Sequence, residues 1–168
     1  MADVKIYRCK HCGNIVVKIV DGGPTPVCCG EPMEELVANT TDAAVEKHVP
    51  ALTVEGERLV ARVGSVEHPM TPEHYIEWLL FSDGDKIVIR YLKPGDAPEA
   101  RFHLAEGGKA TVYAYCNLHG LWKAEVLHQA RFPTCDGSSC RPGSAGAARF
   151  SLDGVLEQCG DTIVSRLS

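Results

Sequence analysis

Ala114-Tyr115-Cys116-Asn117-Leu118-His119-Gly120-Leu121-Trp122-Lys123 is the stretch on which the reading of this chain turns. A strand-like run, 109–115, leads into it, and a second, 121–126, leads out. The turn between them holds Asn117 and Gly120, residue types that hairpins use where φ becomes positive. The pattern predicts a β-hairpin carrying a thiol and an imidazole, Cys116 and His119, on a tight loop, and a rigid loop suits metal ligands. A Cys-x-x-His pair is common, so its meaning depends on the other histidines and cysteines.

Outward from the hairpin, similar runs recur at 57–63, 75–81, 86–92 and 100–105, with turn signals such as Ser82-Asp83-Gly84-Asp85 and Ala105-Glu106-Gly107-Gly108 between them. Leu59, Ala61 and Val63 share one face of their run, and Ile87, Ile89 and Tyr91 share one face of theirs. Short strands at this spacing predict an all-β antiparallel sandwich or barrel. The run 75–81 also fits a helical turn by periodicity.

A chain of 168 residues holds one domain of ordinary size plus something small. A hydrophobic content of 45% is globular, and a net charge of −5 argues against a general nucleic-acid binder. The first residues show no apolar signal-peptide core, and no apolar run approaches the ~20 residues of a membrane span. No export signal and no membrane association are therefore expected. Eight cysteines then argue for metal ligation rather than disulfides.

Four of the eight open the chain, as Cys9-Lys10-His11-Cys12-Gly13 and Cys28-Cys29-Gly30. Between them lie the β-branched run 14–20 and the turn Asp21-Gly22-Gly23-Pro24. So small a unit needs a metal staple, and four thiolates suit zinc or iron. Adjacent residues of a strand point to opposite faces, so Cys28 and Cys29 share one metal only from a bent backbone; a vicinal disulfide is the competing reading. His11, inside the first loop, reads as exposed rather than as a fifth ligand. The pattern resembles the desulforedoxin module, which holds one iron in four cysteines. Residues 37–47 are small and polar and read as a linker or surface segment.

His48, His68, His74 and His119 each stand beside a turn signal, namely Val49-Pro50, Pro69, Thr71-Pro72-Glu73 and Gly120. Loops at one end of a sandwich can bring such residues together. His103 lies mid-strand, between Phe102 and Leu104, and reads as structural or surface. With Cys116 the set is four imidazoles and one thiolate. Glu46-Lys47-His48, His68-Pro69-Met70-x-x-x-His74 and Cys116-Asn117-x-His119-Gly120-Leu121-Trp122, in this order after the desulforedoxin module, resemble desulfoferrodoxin, the two-iron superoxide reductase. The resemblance covers residues 1 to about 126.

The resemblance implies a desulforedoxin-like domain at 1–37 and an immunoglobulin-like catalytic β-sandwich at 38–128. It implies one iron in Cys9, Cys12, Cys28 and Cys29, and a catalytic iron in His48, His68, His74, His119 and Cys116. Four neutral imidazoles with one axial thiolate leave a sixth position open, as catalytic metal sites require. The implied reaction is reduction of superoxide to hydrogen peroxide, without oxygen production, with a rubredoxin-like external donor. A homodimer in the cytoplasm is likewise implied. Lys47 is suited to attracting a small anion and orienting a water, and Glu46 by resemblance closes onto the oxidised iron as a sixth ligand. Competing readings are an electron carrier centred on the first iron and a zinc-stapled binding module.

Residues 129–168 fall outside the resemblance and are expected to be a disordered or partly helical extension. Leu152, Val155, Leu156, Ile163, Val164 and Leu167 fit one face of a helix broken at Gly160. Cys135, Cys140, Cys159 and His128 are candidates for a third metal site, at a spacing that matches no known pattern.

Overall fold

Two strands of this chain are buried on both faces, and they place everything else. β8 (Ile76–Ser82) and β11 (Lys109–Cys116) read as nearly continuous apolar runs, and all their residues but Glu77 and Lys109 are buried. The structure, a computed structural model, describes residues 4–105 and 107–128, and the backbone alone of 158–159 and 162–163. Residues Met1–Gln129 make one compact unit and Ala130–Ser168 another.

Within the first unit the sandwich has a four-stranded sheet in the order β12-β11-β8-β9 and a three-stranded sheet in the order β10-β7-β6. The remaining strands are β6 (Pro50–Glu55), β7 (Arg58–Val63), β9 (Ile87–Tyr91), β10 (Glu99–His103) and β12 (Gly120–Leu127). All their pairings are antiparallel. Leu59, Ala61 and Val63 of β7 are fully buried against Leu79, Phe81, Val112, Ala114 and Cys116 of the facing sheet. The shared face read from the 57–63 run is thus the core face. That of Ile87, Ile89 and Tyr91 is the outer face of an edge strand; Val88 packs inward. The 75–81 run is a strand, because its neighbours β11 and β9 pair with it on both sides.

The other face of the four-stranded sheet carries Trp78, Leu80, Tyr113, Tyr115 and Leu121. The N-terminal residues cover it. β1 (Lys5–Arg8), β2 (Ile15–Lys18) and β5 (Glu34–Glu35) form a small sheet in the order β2-β1-β5, and Ile6, Ile15, Val17 and Leu36 pack against that face. β1 and β6 are not apparent in the sequence pattern; short strands are fixed by their partners more than by their own composition.

The segment 37–47 is tied down rather than free. Asn39, at φ 61°, donates from its side-chain amide to Lys123 O (3.1 Å) and accepts from Lys123 N (2.8 Å), while its own amide reaches Leu121 O. A single helical turn, α1 (Val45–His48), ends the segment.

Of the two expectations for the extension, disordered or partly helical, the helical one does not hold where the backbone is described. β13 (Gln158–Cys159) pairs antiparallel with β14 (Thr162–Ile163). Gly160-Asp161 between them is a two-residue hairpin signal, and it outweighs the apolar periodicity. Cys135 and Cys140 lie outside the described residues, and of Cys159 only the backbone is described. His128 is buried, with Nδ1 3.1 Å from Ala105 O.

Asn39→Ala removes both side-chain bonds and leaves a residue with a Cβ at positive φ. On an exposed site this should cost about 1 kcal/mol and lower Tm by roughly 3 °C in a melt followed by circular dichroism. An unchanged Tm would show that the bonds to Lys123 do not hold the segment.

Candidate metal centres

The hairpin that opened the sequence reading is formed as expected, with Cys116 paired to Gly120 across a three-residue loop. Gly120 has φ 73°, as a hairpin of this length requires, but Asn117 does not have positive φ. It serves otherwise. Its Oδ1 accepts from Tyr75 N (3.0 Å), its Nδ2 donates to Glu73 O (2.9 Å), and its amide reaches Tyr75 O. Asn117 thereby ties the segment that carries His74 to the loop that carries Cys116 and His119. On the other side of Cys116 the β8–β11 register shifts, so that Tyr115 faces Trp78 but Cys116 faces Ile76. The extra residue is Glu77 of β8; it turns Ile76 into the core opposite Cys116, which points there by the regular alternation of β11.

Four imidazole rings close into a square above that thiol. Neighbouring ring centroids are 4.8 Å apart for His48–His68, 4.5 Å for His68–His74, 4.8 Å for His74–His119 and 4.6 Å for His119–His48. Each adjacent pair is edge-to-face, at 73–77°. One donor atom from each ring and the Cys116 Sγ all lie within 4.8 Å of one another.

Hydrogen bonds on the far side of two rings fix which nitrogen faces the centre. His48 Nδ1 donates to Ala44 O (2.7 Å) and His68 Nδ1 to Pro69 O (2.6 Å), which leaves the Nε2 lone pair of each for a metal. His68 Nε2 and His74 Nε2 are buried and have no hydrogen-bond partner. His119 presents Nδ1, 2.9 Å from His48 Nε2 and 3.5 Å from Cys116 Sγ. Two nitrogens at about 2.1 Å from one ion, at a right angle, stand about 3 Å apart. The residues therefore fit a metal, and the orphaned nitrogens are what a cation would satisfy.

Burial keeps these ligands in the form a metal needs. Desolvation lowers the pKa of His48 and His74 and takes that of His68 down to about 4, so the rings are neutral near pH 7. Burial raises the Cys116 thiol, while the amides of His119 and Leu118 favour its thiolate. The Trp122 indole stacks on His48 at 4.9 Å and donates from Nε1 to His119 O (3.2 Å). Trp122 entered the sequence reading only as part of a motif; its stacking on a ligand depends on the β11–β12 register. Glu46 and Lys47 are exposed on α1 next to buried His48, and the Lys47 ammonium acts on both His48 and His74.

The other four cysteines gather at the tip of the N-terminal unit. Cys12 Sγ is 3.6 Å from Cys28 Sγ, and Cys28 Sγ is 3.9 Å from Cys29 Sγ. Sulfurs about 2.3 Å from one ion at tetrahedral angles stand about 3.8 Å apart, so this group also fits a metal. The vicinal pair bends as the sequence demanded. β3 (Val27–Cys28) pairs with β4 (Glu31–Pro32), and the two residues between them, Cys29 and Gly30, have φ 52° and 83°. Positive φ at both central positions is the mark of a type I′ turn, which brings adjacent thiols to one point. All four are free thiols, not disulfides. Amide bonds, first that of Cys12, push Cys9 down to about 6, whereas its sulfur neighbours, first Cys12, push Cys29 up to about 12. His11, as expected, is exposed, and pairs with Glu31.

A four-thiolate centre and a four-imidazole, one-thiolate centre define a non-haem protein with two iron centres. The family model for the desulfoferrodoxin N-terminal domain matches residues 2–36, and that for desulfoferrodoxin matches residues 40–125. The chain belongs to the desulfoferrodoxin family. It is 51% identical over 124 residues to the desulfoferrodoxin of Clostridium acetobutylicum, covering 74% of this chain and 98% of that one. To the desulfoferrodoxin of Nitratidesulfovibrio vulgaris it is 50% identical over 123 residues, covering 73% and 96%. The crystal structure of the superoxide reductase from Treponema pallidum superposes with a TM-score of 0.59 at 31% identity, over 73% of this chain and 97% of that one.

The depressed histidines set a pH dependence for the iron-free protein. Above the ordinary value of 6.5 they are neutral whether the chain is folded or not. Below it the unfolded chain takes up protons that the folded chain refuses, so stability falls as pH falls toward about 4. His68 alone should remove about 2 kcal/mol by pH 5 and about 3 kcal/mol in full. Urea unfolding of iron-free protein at about pH 7.5 and pH 5 reads this directly; equal stabilities would mean the rings are not buried neutral.

Proposed function

We propose that this chain is a superoxide reductase, converting superoxide, one electron and two protons to hydrogen peroxide without releasing oxygen. The observation that carries it is the square of four buried imidazoles over the Cys116 thiol, with the cationic Lys47 beside it. Iron bound there would supply the electron, at a site that the Lys47 ammonium stands beside. His48, His68, His74, His119 and Cys116 would hold it. The amides of Leu118 and His119, aimed at the Cys116 sulfur, moderate how strongly that thiolate donates.

Lys47 attracts the anion to a chain whose net charge is −5, and holds a water as proton source at the mouth. Glu46, next to it, would hold the oxidised iron as a further ligand. Cys9, Cys12, Cys28 and Cys29 hold the second iron, which staples the short N-terminal unit. The division of labour is 1–37 for that iron and 38–128 for catalysis, with 129–168 outside both. The one-electron donor is a rubredoxin-like protein, the assembly a homodimer and the compartment the cytoplasm. No described helix is long and apolar enough to cross a membrane. The exposed apolar face of edge strand β9 (Ile87, Ile89 and Tyr91) offers a surface for a second copy.

Iron-loaded, pre-reduced protein should yield one peroxide per superoxide consumed, with no oxygen at an electrode. Cys116→Ser should abolish this in a single turnover even where iron is retained, because a poor ligand raises the iron's potential. Oxygen release by the wild type would make it a dismutase, and an active Ser variant would remove Cys116 from the axial position.

Steering by Lys47 has its own signature. Lys47→Ala should slow the bimolecular reaction about tenfold, equivalent to about 1.4 kcal/mol at the barrier, and Lys47→Arg should recover part of the loss. The wild-type rate should fall as salt rises, and the Ala variant's should fall less. Pulse radiolysis across a salt series measures both; equal slopes would exclude steering.

A further inference from the structure

The turn that carries Glu46 and Lys47 does not stand by itself. α1 is four residues long, far below the length at which a helix persists alone, and Ala44 at its N-cap makes no side-chain cap bond. Both substrate-facing residues are exposed. What holds them is the segment that follows β7. Val66 N donates to Glu46 O (3.1 Å), Ser65 Oγ donates to the same oxygen (3.2 Å), and Gly64 N donates to Val49 O (3.1 Å).

Gly64 is the point of closest approach. It is buried, at φ 81°. A Cβ there would collide with the Val66 carbonyl oxygen and stand 2.7 Å from Lys47 O and 2.9 Å from Lys47 C. Those are backbone atoms, which cannot swing aside as the end of a side chain can. Only glycine lets the Lys47 peptide lie this close to the loop. Four residues further on, the same loop delivers the ligand His68. The position of Lys47 is therefore tied to the loop that carries His68 as well as to Ala44, whose carbonyl accepts from Lys47 N.

We propose that Gly64-Ser65-Val66 is a positioning cradle that fixes the Glu46–Lys47 turn over the catalytic metal, with Gly64 the residue that sets its depth. The proposal rests on the steering role of Lys47. A lone charge acts on an anion only within about 8 Å at physiological salt, so a cradle error of a few ångströms weakens steering while leaving all five ligands in place.

The test is a double-mutant cycle on iron-loaded protein, with iron content and the thiolate-to-iron absorption band reporting the ligand set. Gly64→Ala should keep both, slow the reaction with superoxide about tenfold, and flatten its salt dependence as Lys47→Ala does. The Gly64→Ala/Lys47→Ala pair should be no slower than Lys47→Ala alone, because both changes remove one effect. In hydrogen exchange, the amides of Lys47 and Val49 should exchange faster in Gly64→Ala and, to a smaller degree, in Ser65→Ala. Additive slowing in the pair, or a wild-type salt slope in Gly64→Ala, would overturn the cradle. Should Gly64→Ala fail to load iron, Ser65→Ala decides: a flattened slope with faster exchange supports the cradle, and wild-type values for both overturn it. A wild-type slope in Lys47→Ala would instead defeat the steering reading underneath.

Discussion

Five donor atoms converge on one point in this protein, and two of them have no hydrogen-bond partner among the described residues. Nitrogens of His68 and His74 stand unpartnered in the core, and the Cys116 thiol sits where burial opposes its ionisation. Such a cluster is costly without a cation and strongly favourable with one. The structure around it supplies rigidity. His48 and His68 are fixed by bonds to carbonyls, His48 further by the Trp122 ring, and the loops of His74 and His119 are joined through Asn117. The ligands come from a helical turn, one loop and one hairpin, so the centre exists only once the sandwich has closed.

The second centre obeys a different logic. Its sulfurs come from two tight turns close in sequence, and three of the four are partly or fully exposed. Little tertiary structure is needed to assemble it, and little core stands behind it beyond Tyr7 and Met33. The N-terminal sheet gains its support elsewhere, by covering the outer face of the β12-β11-β8-β9 sheet. Through that contact β8 and β11 become buried on both sides, with Tyr115 facing the N-terminal sheet and Cys116 facing the sandwich core. The two metal units are thus joined by packing on opposite faces of the same strands.

Much of this was legible in the sequence because it is local. Short apolar and β-branched runs between turn signals located the strands of the sandwich except β6, and paired cysteines followed by glycine located the first centre. The vicinal pair even stated its own requirement, a bent backbone, which Cys29 and Gly30 meet in a two-residue turn. Where local signals were weak or competed, the sequence misled. Apolar periodicity suggested a helix where Gln158–Cys159 and Thr162–Ile163 are paired strands. Asn117 looked like a turn former and proved to be a bridge. The small polar residues of 37–47 read as a linker or surface segment, and no sequence signal showed that Asn39 bonds to Lys123, 84 positions away.

The sequence by itself determined residue types, spacing and alternation, and hence the ligand inventory and an all-β chain. Those depend on bonds and periodicities within a few residues. Only the tertiary structure decided that His48, His68, His74 and His119 form a square, that Nδ1 of His119 but Nε2 of His48 turns inward, and that a bulge at Glu77 turns Ile76 to the core opposite Cys116. It also decided which face of β9 is left exposed and how closely Gly64 lies under Lys47. Each of these is set by register and packing between segments far apart in the chain, where a shift of one residue would turn a side chain to the other face.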